Sequence, residues 1–512
     1  MYPGTYARTD PNRVAVVMTG TGETLSYGEL EERSVRLAHR LRDLGFRRGD
    51  VIALLCDNSP RVFEVYWAAQ RIGLYVTSVN HRLGPDEIRY IVDDCEAGAV
   101  FASSAVGSAA QTLNGTAALR WRVAIGGELE GFEGYEEALA ASRTSPLGDQ
   151  PRGGDMLYSS GTTGRPKGIK PPLPERRVDE PGDAMVGLFG GRFGFDERTV
   201  YLSPAPLYHA APLRTCATVQ ALGGTVVVME RFDAEAALAA IEHHRVTHSQ
   251  WVPTMFVRML KLDGAVRTRY DLSSQRVAIH AAAPCPVAVK QRMIDWWGPI
   301  LHEYYSSTEA NGATMITPEE WSERPGSVGR AVLGTIRVCD EDGHEVPPGT
   351  IGTVYFEREV RPFSYHRDPE RTRLAQHPAH PTWTTVGDIG HLDGEGFLYL
   401  TDRKAFTIIS GGVNIYPQEI EDVLVLHPAV ADVAVVGVPD EEMGEQVKAV
   451  VQLVPGVEGS DALAAELIGH VRARLAGYKT PRSVDFVDDL PRTPTGKLVK
   501  GQVRDRYWRV PT

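Results

Sequence analysis

Several features that would define a function class are absent from this chain of 512 residues. Its five cysteines are scattered, and no Cys-x-x-Cys pair or Cys/His ligand spacing occurs. Neither a disulfide framework nor a zinc site is therefore supported. No uninterrupted apolar run reaches the length of a membrane span, and the N-terminus lacks the apolar segment of a signal peptide. We expect a cytoplasmic protein with no membrane span.

Long runs of basic residues are also lacking, and the formal net charge is −12 at pH 7. An acidic chain without a basic stripe argues against nucleic acid as the main partner. The hydrophobic content of 42% and the charged content of 23% are those of an ordinary globular protein. A chain of this length does not form a single core, so we expect two or more domains.

The most informative stretch that is present reads YSSGTTGRPKGIK, from Tyr158 to Lys170. It combines hydroxyl groups, glycines and a lysine that can all meet an anion: Ser159, Ser160, Gly161, Thr162, Thr163, Gly164 and Lys167. Glycines let backbone N–H groups approach a phosphate, and the lysine supplies a point charge. The common nucleotide loop, Gly-x4-Gly-Lys-Ser/Thr, is absent, and such clusters are often only surface linkers. The stretch predicts a phosphate loop if other motifs agree.

Strand-like and helix-like segments alternate through the first 325 residues, which predicts an α/β fold with buried, mainly parallel sheets. Ser26 and Glu29 form the pattern of a capping box before one helix. Later segments predict helices 61–72, 85–93, 234–244 and 254–262 and strands 75–79, 99–102, 225–229 and 247–251. Residues 104–155 are rich in Gly, Ala and Ser, and we expect them to form a surface-exposed lead-in to the phosphate loop.

The pattern changes twice toward the C-terminus. After residue 325, short strands with Gly and Pro turns predict a β-rich subdomain. Beyond the segment 402–406, strands 432–438 and 447–454 and helix 461–475 predict a separate small α+β domain. The expected organisation is a large N-terminal domain, 1–401, a hinge, 402–406, and a mobile C-terminal domain, 407–512.

Further motifs follow the phosphate loop in order. They are Pro-Leu-Tyr-His (206–209), His-Ala-Ala-Ala-Pro (280–284), Tyr-Tyr-Ser-Ser-Thr-Glu (304–309), Val-Gly-Asp (386–388) with Asp-Arg (402–403), Ser-Gly-Gly-Val-Asn-Ile-Tyr-Pro (410–417) and Pro-Arg-Thr-Pro-Thr-Gly-Lys (491–497). Together they resemble the adenylate-forming, or AMP-binding, superfamily, and most closely its acyl-CoA synthetase branch. The resemblance covers essentially the whole chain.

The resemblance implies a role for each motif. The loop residues from Ser159 to Gly164 and Lys167 would bind nucleotide phosphates, Ala282 would lie in the adenine turn and Tyr305 would stack on adenine. Asp388 would accept the ribose hydroxyls and Arg403 would contact the ribose. Each alone also has a plain structural interpretation, such as a turn-forming aspartate.

The remaining implied roles concern the reaction. Catalytic roles fall to Thr308 on a phosphate or carboxylate oxygen, to Glu309 as the Mg²⁺ ligand, to His209 lining the acyl channel and to Lys497 during adenylation. Ser410, Gly411 and Gly412 would line the CoA tunnel, and Lys404 and Ala405 would form the hinge. A solvated tail lysine is the plain alternative for Lys497.

The implied function is an acyl-CoA ligase that uses ATP, Mg²⁺ and CoA. A carboxylate would form an acyl-adenylate, and the CoA thiol would then displace AMP after the C-terminal domain turns. Three alternatives stay open: loading of a carrier-protein pantetheine, a ligase with only its thioesterification half intact, and a silent adenylate-binding protein. The partners would be a small carboxylic acid and CoA, with a homodimer left open.

Two sets of residues bear on what is special to this chain. Ala210-Ala211-Pro212 offers no charge for a substrate ammonium, which disfavours amino acids. Trp296 to Pro299 and Tyr304 to Ala310 resemble actinobacterial ligases for fatty or bulky polycyclic acids, including diterpenoid acids of platensimycin-type pathways. Four positions depart from the family pattern and raise the hypothesis that adenylation is the weaker half: Ala281, Ser306, Val386 and Ala405.

Overall fold

The largest sheet of the computed structural model, which describes residues 2–159, 166–492 and 498–508, has nine strands. In spatial order they are Arg330–Leu333, Ala313–Ile316, Leu301–Ser306, Val277–His280, His248–Trp251, Val200–Ser203, Thr225–Val228, Val14–Met18 and Thr24–Ser26. The six strands in the middle are parallel, and antiparallel strands flank them at both edges. Parallel strands end at the same edge, so the motifs that follow them meet there.

A second sheet has six strands, all parallel. Their order is Glu133–Gly134, Trp121–Ile125, Ala97–Ser103, Val51–Leu55, Tyr75–Ser78 and Gly154–Asp155. Every residue of Val51–Leu55 is buried, as expected for a strand covered on both faces. Trp121–Ile125 pairs with Ala97–Ser103 inside this sheet, so the prediction that 104–155 is a surface-exposed lead-in was wrong.

The region after residue 325 contains a five-stranded antiparallel sheet. Its strands are Thr335–Cys339, Gly352–Glu357, Asp388–Leu392 and Leu398–Arg403, with Trp383–Thr384 beside Gly352–Glu357. A fourth sheet, near the C-terminus, contains Val413–Ile415, Ile408–Ser410, Gly444–Leu453, Val430–Asp440 and Ser483–Val487. This mixed α/β architecture confirms the predicted fold class, whereas the domain boundaries stay a prediction.

Helices cover the sheets. The α-helices are Pro3–Thr9, Tyr27–Asp43, Pro60–Gln70, Pro85–Asp94, Gly107–Gln111, Tyr135–Ala140, Ala184–Phe193, Ala210–Ala221, Ala234–His244, Pro253–Leu260, Gly264–Arg267, Val287–Trp297, Pro318–Glu323, Pro369–Leu374, Pro417–Leu424, Asp461–Arg472 and Lys500–Trp508. Short 3₁₀ turns span Ser104–Val106, Lys404–Phe406 and Gly477–Lys479. The capping box is confirmed, because Ser26 Oγ accepts from the Glu29 backbone N–H at 3.2 Å and the Glu29 carboxylate accepts from the Ser26 N–H at 2.8 Å.

Residues on the two sides of the predicted hinge also touch. Lys261 donates to the backbone carbonyl of Val430, and Val425 and Leu426 pack against the apolar cluster that contains Trp251. Within the predicted hinge itself, the carbonyl of Ala405 accepts from Arg504 of the C-terminal helix at 3.3 Å. Among the described residues, no helix combines the length and apolar character needed to cross a membrane.

Candidate active site

A two-stranded hairpin carries both ends of the predicted phosphate loop. Leu157–Ser159 and Lys167–Ile169 pair antiparallel, and Ser159 lies opposite Lys167. The predicted loop residues Ser160, Gly161, Thr162, Thr163 and Gly164 lie outside the described residues. The hairpin nevertheless gives the positions of the residues that precede and follow the predicted loop.

Glu309 lies within reach of this hairpin. Its Oε1 accepts from the Tyr365 hydroxyl at 2.9 Å and from Ser159 Oγ at 3.4 Å. The Lys167 ammonium lies 5.0 Å from the centre of the Tyr365 ring. Burial lowers the pKa of Lys167, and the negative charge of Glu309 opposes that shift. The arrangement places a carboxylate, a cation and hydroxyl groups around one point.

Tyr365 is a member of this cluster that the sequence motifs did not reveal. An isolated bridge pairs it with Ile169, and the backbone N–H of its neighbour His366 donates to the carbonyl of Gly168 at 2.7 Å. The contacts depend on a loop returning from the β-rich region, 196 residues further along the chain than Ile169. Aromatic residues in Phe363-Ser364-Tyr365 were the only signal, and they indicate packing as readily as a site.

Asp388 joins two other predicted nucleotide-binding residues. Its carboxylate accepts from the Tyr305 hydroxyl at 2.5 Å and pairs with Arg403 Nε at 2.9 Å. Asp388 and Arg403 are direct cross-strand partners, which explains their spacing in the sequence. Burial is the largest influence raising the pKa of Tyr305, and the charge of Asp388 adds to it. The hydroxyl of Tyr305 is thus a hydrogen-bond donor at neutral pH.

The turn after strand Val277–His280 has an unusual backbone. Ala282 has φ of +74°, a conformation that costs a residue with a Cβ roughly 1 kcal/mol or more. Ala281, which stands where the family pattern has glycine, is buried and is not among the residues with positive φ. The backbone strain is therefore at Ala282, one residue after Ala281, the position that departs from the family pattern.

His209 begins the helix Ala210–Ala221 as its N-cap residue. Its Nε2 and the Tyr208 hydroxyl are buried and have no hydrogen-bond partner among the described residues. Burial lowers the pKa of His209 to about 3, so the ring is neutral at neutral pH. Unpaired buried polar atoms are uncommon, and they are often found where a ligand binds.

The remaining predicted site residues lie apart from these contacts or outside the described residues. Thr308 follows the strand Leu301–Ser306 and is half-buried. Gly411 and Gly412 lie in an exposed turn with φ of +56° and +80°, and Ser410 pairs with Gly444 in the C-terminal sheet. Lys497 lies outside the described residues, as does the side chain of Lys404, whereas the Ala405 carbonyl accepts from Arg504.

The residues around Glu309 fit a magnesium ion. Glu309 is 8% exposed, and its Oε2 accepts no hydrogen bond from the described residues. The hydroxyls of Ser159 and Tyr365 lie on Oε1, so the immediate donor set consists of hard oxygen atoms. Magnesium prefers such ligands, commonly one or two carboxylates together with substrate phosphates.

Comparison with known proteins agrees with this geometry. The family model of the AMP-binding enzyme matches residues 5–359, and that of the AMP-binding enzyme C-terminal domain matches residues 419–497. This chain belongs to the AMP-binding enzyme family. The first match alone spans more than half of the chain, so the predicted superfamily is confirmed.

Relatives of this AMP-binding enzyme extend over its full length. A feruloyl-CoA synthase from Amycolatopsis sp is 36% identical, with 99% of this chain and 98% of the relative covered. An indoleacetate–CoA ligase from Aromatoleum aromaticum is 32% identical, with 98% and 96% covered. The crystal structure of an anthranilate CoA ligase in complex with anthranoyl-AMP has a TM-score of 0.86 at 25% identity, with 99% and 96% covered.

Proposed function

We propose that this AMP-binding enzyme is an acid–thiol ligase that activates a carboxylic acid with ATP and transfers the acyl group to CoA. The acid attacks the α-phosphate and pyrophosphate leaves, and the CoA thiol then displaces AMP from the acyl-adenylate. The observation that carries the proposal is the buried Asp388 carboxylate, which joins the half-buried side chains of Tyr305 and Arg403 in one cluster. Such a carboxylate is suited to accept hydrogen bonds from the two hydroxyl groups of a ribose.

The first half-reaction is assigned to groups that position and neutralise phosphate. Lys167 and the loop between the two hairpin strands are assigned to bind the triphosphate, and Thr308 to donate to an oxygen at the reacting centre. Glu309 would hold Mg²⁺, which when bound neutralises phosphate charge. Lys497 supplies a cation at the α-phosphate. Catalysis then arises mainly from positioning and charge stabilisation.

The second half-reaction is assigned to the C-terminal domain. Turning about residues 402–406 withdraws Lys497 and brings the turn of Ser410, Gly411 and Gly412 to the thiol arm of CoA. Gly412 has open space around its Cα, which supports such a role because a Cβ there would meet no atom within 4 Å. The domain boundaries 1–401 and 407–512 form part of this proposal.

The names of the three relatives described above share a substrate class. Feruloyl, indoleacetate and anthranilate groups are all aromatic, so we propose an aromatic or similarly bulky acid for this chain. The narrower likeness to ligases for diterpenoid acids stays a prediction. A homodimer and a cytoplasmic location also stay predictions.

A panel of acids tests the function. Acid-dependent exchange between ATP and labelled pyrophosphate reports the first half, and thioester formation with CoA reports both halves. We expect both signals with at least one aromatic acid and Mg²⁺. Transfer only to a carrier-protein pantetheine would favour the loading alternative, and thioester formation only from supplied acyl-adenylate would favour unequal halves. Failure of every arm with every acid would leave a silent adenylate-binding protein.

A further inference from the structure

A buried ion pair closes the turn that follows the strand Val277–His280. Lys290 lies in the helix after that turn, and its ammonium donates to Glu303 Oε2 at 2.7 Å. His280, the last residue before the turn, places its Nε2 3.4 Å from the same carboxylate oxygen. The two ends of the turn, residues 281–286, are therefore joined through one oxygen atom of a third element.

The sheet fixes the position of this oxygen. Glu303 and His280 are direct partners where the strands Leu301–Ser306 and Val277–His280 pair in parallel. Alternate residues of a strand point to the same face, so Glu303 shares its face with Tyr305, two residues further on. The ion pair thus connects the helix after the turn to the strand that carries the tyrosine assigned to adenine.

The surroundings of the pair restrict it to this geometry. The side chain of Lys290 is fully buried and that of Glu303 is 7% exposed. The ammonium also lies 4.8 Å from the centre of the buried Trp321 ring. Among the described residues, Glu303 is the only carboxylate within ion-pair distance of Lys290. Because a buried charge without its partner is costly, helix and strand are held at a fixed separation.

The turn that the pair closes has a strained backbone and free acceptors. A residue with the positive φ of Ala282 keeps that conformation only where the structure around it imposes it. The carbonyls of Ala282 and Ala283 accept no hydrogen bond from the described residues. Ala282 is exposed and Ala283 is half-buried, so a ligand can reach them. The 6-amino group of adenine is a donor that such carbonyls can accept from.

We propose that Lys290 and Glu303 are positioning residues that hold this turn in the conformation that recognises the amino group of adenine. The inference rests on the proposed function and on the adenine-binding roles that the family resemblance implies for Ala282 and Tyr305. Both members of the pair are buried, so they act through the backbone of the turn. The preference for an adenine nucleotide is thus set partly by an ion pair behind the binding surface.

Two nucleotides that differ by one amino group test the inference. They are AMP and purine riboside 5′-monophosphate, which carries hydrogen in place of the 6-amino group. Calorimetric titration of the full chain measures both dissociation constants without requiring turnover. We expect AMP to bind about three- to tenfold tighter, the share of one hydrogen bond.

Each outcome of the titration is decisive. Equal binding of the two nucleotides overturns the inference, because the turn then recognises no amino group. No binding of either nucleotide overturns the inference and the proposed function together. Acid-dependent thioester formation with CoA is recorded separately, and its absence beside a normal preference for AMP counts against the proposed function alone.

Variants locate the preference in the ion pair. Lys290→Met should bring the ratio of the two dissociation constants near unity while leaving the affinity for purine riboside 5′-monophosphate unchanged. Glu303→Gln should keep most of the ratio, because its amide oxygen still accepts from Lys290. The double variant Lys290→Met with Glu303→Leu leaves no buried charge unpaired, so it provides the test if the single variant does not fold. It should lose the ratio as well.

A second buried ion pair supplies the matched control. Arg71 is fully buried and pairs with Glu31 at 2.6 Å, and neither residue contacts the turn 281–286. Arg71→Met should therefore leave the ratio of the two dissociation constants unchanged. A parental ratio in the double variant, or an equal loss of the ratio in Arg71→Met, refutes the assignment.

Discussion

Asp388→Asn is the sharpest test of the nucleotide site, because it keeps the shape of the side chain and removes its charge. The carboxylate is 7% exposed and bonds both Tyr305 and Arg403, so its surroundings are already fixed before nucleotide binds. Hydrogen bonds to a charged group contribute about 1.5–3 kcal/mol each. Losing the charge-assisted part of the ribose contact should therefore weaken AMP binding by about ten- to a hundredfold.

A thermodynamic cycle that changes one residue and one ligand separates ribose recognition from a general loss of nucleotide binding. Calorimetric titration would compare AMP with 2′,3′-dideoxy-AMP in the parent protein and in Asp388→Asn. We expect the parent to prefer AMP strongly and the variant to bind both nucleotides alike. Asp393→Asn, in the turn of the same hairpin, is the control because the Asp393 carboxylate accepts from the backbone N–H groups of Glu395 and Phe397 and forms an ion pair with Arg324. If the variant still discriminates against the dideoxy nucleotide as the parent does, Asp388 does not bind the ribose.

Lys497→Ala should abolish pyrophosphate exchange but spare thioester formation from supplied acyl-adenylate, and equal loss in both assays would contradict this division of roles. Lys448→Ala is the control, because Lys448 pairs with Asp485. Gly412→Leu should slow CoA-dependent use of acyl-adenylate and leave exchange intact, and a parental rate with CoA would refute the tunnel role. His209→Gln should flatten the fall of unfolding free energy below pH 6.5. The unfolded histidine takes up a proton there and the folded one, with a pKa of about 3, does not, which costs up to about 1.4 kcal/mol per pH unit. Urea unfolding of the parent and the variant at pH 7.5 and 5 measures this pH dependence. If the unfolding free energy falls by the same amount in both proteins between these pH values, the reasoning is rejected.

Local patterns predicted the regular elements well. The helix predicted at 234–244 is observed as Ala234–His244, and the strand predicted at 225–229 as Thr225–Val228. The prediction failed between 104 and 155, because the Gly, Ala and Ser content of the whole segment is typical of an exposed connection, although the short run Trp121–Ile125 within it forms a largely buried strand. Composition alone does not separate these two cases.

The site was predictable to the extent that it depends on order along the chain. The pairing of Asp388 with Arg403 follows from one hairpin, and its two residues were recognised from their spacing. Tyr365 was missed because its partner, Glu309, is distant in sequence and meets it only when the sheets pack. No periodicity records such contacts. The roles assigned to the site residues remain predictions that the variants above address.

The raised pKa values of the protein's own thiols have a consequence for the acyl-adenylate, which is a mixed anhydride. An acyl-adenylate is an electrophile that any thiolate nearby would attack. Cys285 lies three residues after Ala282, and burial and the charge of Glu303 raise its pKa well above the usual value. Burial likewise raises the pKa of the other four cysteines, Cys56, Cys95, Cys216 and Cys339. We therefore expect little acylation of the enzyme's own thiols, and a thiol-reactive dye should report the consumption of CoA with little background from the native protein.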